Sequence, residues 1–185
     1  MKKLFTTILT LVAFLTVASV TYAGPPQSRR RADGRRLEFK AALSGAQEVS
    51  PPAPVGGVVT EATGSVKVEF DKALTKAEFK LKVFNGVDVI VAHFHCAPAG
   101  VNGPVVAFLF PFNPAGVDVN GTLASGTLTN ADIIATSGDP CGVTINNIAS
   151  LAAAMLDGKI YANAHTIAHP AGEIRGQILV SGGPD

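Results

Sequence analysis

From Leu37 onward the chain alternates apolar and polar residues with a period of two. "LEFKAAL" puts Leu37, Phe39, Ala41 and Leu43 on one face. "GSVKVEF" does the same with Val66, Val68 and Phe70, and "KAEFKLKVF" with Ala77, Phe79, Leu81 and Val83. This period predicts half-buried strands in antiparallel sheets. The connections are rich in Gly, Pro, Asn and Asp, as in "SPPAPVGG", "PAGVNGP" and "FNPAGVDVNG". Short strands with such turns predict an all-β sandwich or barrel.

Three segments depart from simple alternation. "VVAFLF", Val105 to Phe110, is apolar on both faces and predicts a central, fully buried strand ended by Pro111. Residues 144–158, "TINNIASLAAAMLDG", carry Ile148, Leu151, Ala152 and Met155 at helical spacing. Asn146 or Asn147 can cap that start and Gly158 can end it, so one short α-helix is expected near 146–157, crossing one end of the fold. Met155 reads as core rather than as a metal ligand. "TNADIIAT" before it suggests a shorter helical turn. The last stretch predicts two strands around "HPAG", with Ile160, Ala162 and Ala164 alternating with Tyr161, Asn163 and His165.

The N-terminus has a different character. Lys2 and Lys3 precede an apolar run from Leu4 to Val20, followed by Thr21-Tyr22-Ala23. This is the layout of a secretory signal peptide over residues 1–23. The run is short for a bilayer-spanning helix, which takes roughly 20 apolar residues, so no stable membrane insertion is expected after cleavage. Removal leaves 185 − 23 = 162 residues, enough for one domain. Residues 24–36, "GPPQSRRRADGRR", hold five arginines and one aspartate and read as a basic disordered linker. The domain is then residues 37–181. From Leu37 on, 15 − 2 − 5 = 8 basic residues face 14 − 1 = 13 acidic ones. With no Trp, two Tyr and no basic stripe, the domain offers nothing for nucleic acid. Its expected location is secreted or periplasmic, with a partner outside the cytoplasm.

Export changes the reading of the cysteines. Cys96 and Cys141 are the only two. An oxidising compartment and an even count favour a disulfide, with free thiols or a thiolate ligand as alternatives.

All four histidines fall in two short segments, "AHFHC" and "NAHTIAHP". His93 and His95 project from one strand face, roughly 6.5 to 7 Å apart at Cα. His165 and His169 end another strand. If those strands are neighbours, the imidazoles converge, and imidazole suits copper or zinc. Glu48 and Glu173 are possible accessory ligands. The alternative is four histidines satisfied by hydrogen bonds, with Glu173 and Arg175 forming a surface ion pair. No Gly-x-Ser-x-Gly elbow, phosphate-cradling loop or marked carboxylate pair suggests another chemistry, so the chain leans away from enzymes.

Four blocks, in order, are "FKAALSGAQEVSPP", "TEATGSVKVEFD", "AHFHCAPAGVNGPVVAFLF" and "LAAAMLDGKIYANAHTIAHPAGEIRGQI". Together they resemble the CHRD domain, the module first named in chordin, over about Phe39 to Ile178. The resemblance implies an immunoglobulin-like antiparallel β-sandwich or barrel in a secreted bacterial single-domain member. It carries over His93, His95 and His165. His169 stands where the family often has asparagine, and Ser50 is inserted in the usual "EVPP". A fainter resemblance is to copper-zinc superoxide dismutase, also a β-sandwich with an HxH pair and one disulfide. It implies a copper-dependent redox role for His93, His95 and Arg175, although the zinc-loop ligands are missing. The third reading is a structural or adhesive module without metal.

Overall fold

The computed structural model describes residues 36–49 and 56–181. The expected signal peptide, all but Arg36 of the expected basic linker, and the Ser50 insertion lie outside them. No helix among the described residues is long and apolar enough to cross a membrane.

Among the described residues, nine strands form a single antiparallel sheet: β1 (Leu37–Ser44), β2 (Thr63–Phe70), β3 (Lys76–Gly86), β4 (Val89–Cys96), β5 (Val105–Phe110), β6 (Val119–Thr129), β7 (Ile160–Thr166), β8 (Ile174–Gln177) and β9 (Leu179–Val180). The order is β5-β4-β7-β8-β1-β2-β3-β6, with β9 pairing β1. The end strands β5 and β6 approach each other, and the Ile134 N–H, just past β6, donates to the Val106 carbonyl at 2.9 Å. The sheet is therefore a nearly closed barrel, and the sandwich-or-barrel expectation resolves to one rolled sheet.

Period two builds the interior as expected. Phe39, Val66, Val68, Phe70, Leu81, Phe94, Ile160, Ala162 and Ile174 all lie in one buried cluster. Phe39 and Phe70 meet edge to face with centroids 5.7 Å apart, the favoured geometry for two rings. Helix α1 (Ile148–Leu156) is capped by Asn147, whose side chain accepts from the Ser150 N–H. Ile148, Leu151, Ala152 and Met155 enter the same core, so Met155 is packing, and α1 lies against β7 and β9. Gly158, just past the helix, has φ +65°, a conformation that glycine adopts without steric cost. The suspected turn is a 3₁₀ helix at Asn130–Asp132, closed by a Thr129–Asp132 capping box.

Two expectations need correction. β5 is an end strand rather than a central one, and Phe108 is 48% exposed. Its apolar run reflects two different duties: Val106, Ala107 and Leu109 fill the interior, while Phe108 covers a histidine on the outside. β6 occupies a stretch that the sequence reading left partly as a connection. It is half-buried to exposed along most of its length and rich in Thr, Ser, Gly and Asn, so its apolar period is weak. Although Val89 is an even number of residues from His93 and His95, it belongs to the core cluster, because a register shift between Val89 and Val91 breaks the alternation.

Cys96, the last residue of β4, is bonded to Cys141 in the loop before α1, closing a separation of 45 residues. Both cysteines are fully buried. Replacing both with alanine is expected to lower unfolding stability by about 2–4 kcal/mol, mainly by freeing the unfolded chain. Denaturant unfolding with the native protein as reference measures this, and an unchanged midpoint would count against it.

Candidate metal centre

β4 and β7 are hydrogen-bonded neighbours, so the condition for convergence is met. His93 lies directly opposite Asn163, His95 opposite Tyr161, and Val91 opposite His165. Directly opposed residues share a face. His93, His95, Tyr161, Asn163 and His165 therefore occupy one side of the β4–β7 pair, while Ala92, Phe94, Cys96, Ala162 and Ala164 occupy the other and fill the core. The row continues outward, since Arg175 on β8 opposes Asn163 and Phe108 on β5 opposes His93.

This outer face is nevertheless buried. His93, His95 and His165 are each only 8% exposed, Asn163 is 3% and Arg175 2%. Three connecting segments supply partners on this side: the stretch around Glu48, the 97–104 loop after β4, and the 167–173 turn between β7 and β8. Phe108 packs edge to face on His93, with centroids 4.8 Å apart.

One nitrogen from each of His93, His95 and His165 lies within 4.8 Å of the other two. His95 Nδ1 is 2.9 Å from the Gly103 carbonyl oxygen and His165 Nδ1 is 3.0 Å from that of Pro170. A carbonyl only accepts, so the His95 Nδ1 carries the hydrogen and its Nε2 presents a lone pair, while His165, whose Nε2 also faces Asn163 Oδ1 at 3.1 Å, has one hydrogen for two acceptors when neutral. Metal-binding histidines are commonly fixed in this way through the nitrogen that does not bind the ion. His95 Nε2 is 3.3 Å from His93 Nδ1. Two nitrogens on a tetrahedral ion at about 2.0–2.1 Å would be about 3.3–3.4 Å apart.

Electrostatics keep the cluster neutral. Burial, reinforced by mutual repulsion with His165 and His95, lowers the His93 pKa from 6.5 to about 4. Burial is also the leading cause for His95, again lowered to about 4, with repulsion from His165 and Arg175 adding to it. Burial lowers His165 as well.

The remaining expected residues are placed differently. His169 is not in the convergent group. It is partly exposed in the turn, where its carbonyl accepts from Thr166 N and Gly172 N. Glu48 is buried beside Asn163 and Gly172, and burial raises its pKa, an effect opposed by the Val49 N–H, Arg175 and Asn163. Glu173 accepts from the Thr60 hydroxyl.

The surface ion pair between Glu173 and Arg175 is overturned. Arg175 lies under the loop, its guanidinium carbon 3.4 Å from the centre of the Tyr161 ring. It donates to Asn102 Oδ1 at 3.0 Å and to the Val101 carbonyl at 2.8 Å. Tyr161 stacks in turn on His95, at 4.9 Å and 7° between planes. Asn163 and Tyr161 were not foreseen as parts of the site. Their positions opposite His93 and His95 were the available signal, but reading it required the β4–β7 register.

The fold and site together define a disulfide-stapled all-β domain of binding type, with a histidine cluster able to hold a metal ion. The chain belongs to the CHRD domain family, whose sequence profile matches residues 39–178. Among curated proteins and solved structures, none matches it.

Two outcomes follow from this geometry. In metal-free protein, His93 and His95 stay neutral when folded but take up protons when unfolded between pH 6.5 and about 4. Stability is therefore full above pH 6.5 and declines as pH falls through that window. Unfolding titrations across the window should show this decline, flattened by His93→Ala plus His95→Ala. Separately, a Cβ on Gly172 would lie 2.5 Å from Glu48 Oε2 and 3.1 Å from Asn163 Nδ2, at φ +129°. Gly172→Ala is expected to destabilise the fold by roughly 1–3 kcal/mol. Thermal unfolding checks it, and a neutral result would mean the turn relaxes freely.

Proposed function

We propose that the protein is a secreted or periplasmic, non-enzymatic binding module that holds one copper or zinc ion through His93, His95 and His165. The observation that carries this reading is the convergence of three imidazoles, two of them held at Nδ1 by backbone carbonyls. Three imidazoles suit either ion. The Cys96–Cys141 disulfide supports an oxidising compartment. Arg175, which the dismutase-like reading assigns to redox chemistry, is engaged by Tyr161 and the 97–104 loop, so the binding role has the better support.

Anaerobic titration of the purified protein with copper and with zinc tests the reading. One equivalent should bind, and His93→Ala plus His95→Ala should abolish binding. His169→Ala should leave the affinity unchanged. A double variant that binds as tightly as the native protein would refute the assignment.

A further inference from the structure

The hydrogen-bond chemistry at Asn163 extends this site. Asn163 Oδ1 lies 3.1 Å from His165 Nε2 in a buried setting. His165 Nδ1 faces the Pro170 carbonyl at 3.0 Å, so a neutral His165 ring has one hydrogen for two acceptors. With that hydrogen on Nδ1, the contact at Nε2 is lone pair against lone pair, with no proton between them. Such a buried contact is unfavourable, and a positive centre between or beside the two atoms relieves it. Asn163 is also directly opposite His93 across the β4–β7 register, which places its side chain among the three imidazoles.

The other end of the same carboxamide lies beside Glu48. Asn163 Nδ2 and Glu48 Oε2 flank the bare Cα of Gly172. Glu48 is 3% exposed, and its Oε2 makes no hydrogen bond. A carboxyl group on the nitrogen side turns the amide oxygen toward the histidines.

Building on the metal reading above, we propose that Asn163 Oδ1 is the fourth ligand, so that the centre is a closed set of three imidazole nitrogens and one amide oxygen. Glu48 acts as a positioning residue that holds the amide in this orientation. A closed four-ligand set of this kind suits a bound or stored ion rather than an ion with a position kept open for substrate.

The test compares the purified native protein with Asn163→Leu and Asn163→Asp. Zinc affinity is read by calorimetry, and the copper(II) ligand field by electron paramagnetic resonance. Asn163→Leu, similar in size but without the oxygen, should weaken zinc binding at least about tenfold and shift the copper hyperfine splitting. Asn163→Asp, which supplies an anionic oxygen at the same place, should bind zinc at least as tightly as the native protein. Native metal binding together with an unaltered copper spectrum and zinc affinity in Asn163→Leu would overturn the fourth-ligand assignment and leave the three-histidine site standing. An Asn163→Asp protein that binds zinc more weakly than the native protein would also overturn it, and remains informative if the leucine variant fails to fold. A native protein that binds neither ion removes the metal reading itself, and this inference with it.

Discussion

The buried guanidinium of Arg175 is the constraint on which the outer face of the barrel depends. A charge at 2% exposure is costly to desolvate and persists only when its donors and its face are occupied. Here the donors are taken by Asn102 and Val101, and the face by the Tyr161 ring. These contacts fix the 97–104 loop over the sheet. The same loop provides the Gly103 carbonyl that sets the His95 tautomer and the Gly103 N–H that donates to the Tyr161 hydroxyl. The disulfide anchors the start of the loop at Cys96. One buried cation thus links the barrel wall, its covering loop and the orientation of an imidazole.

This arrangement gives the β4–β7–β8 wall two buried faces with different chemistry. The inner face is apolar and continuous with the core. The outer face carries histidine, asparagine, tyrosine and arginine in register rows, with almost no access to water. Burial there costs the charged form of each histidine, which keeps lone pairs available over a wider pH range than free imidazole allows. The destabilising cost of a polar interior is thereby coupled to a property useful for binding a cation.

How much was legible in the sequence follows from the same physics. Strands with one wet and one dry face, such as β1, β2 and β3, show their period directly, and α1 shows its cap and its apolar spacing. β6 was obscure because small polar residues on a half-buried to exposed strand leave only a weak period to detect. β5 was misplaced because Phe108 is apolar for the sake of His93 rather than for the core. The pairing of His93, His95 and His165 was visible as clustering, but its geometry rests on long-range register. Arg175 looked like a surface residue because alternation marks the face opposite the core and is silent about loops that cover it. Asn163 drew no notice for the same reason: its role is set by what lies across the strand and beyond the turn.

Anomalous diffraction from crystals of the protein loaded with zinc or copper tests whether the outer face of β4 and β7 encloses a metal ion. One strong anomalous peak is expected, about 2.0–2.2 Å from a nitrogen of each of His93, His95 and His165. A loaded crystal with no peak among these imidazoles, or with the ion bound instead at His169 or a surface carboxylate, would contradict it.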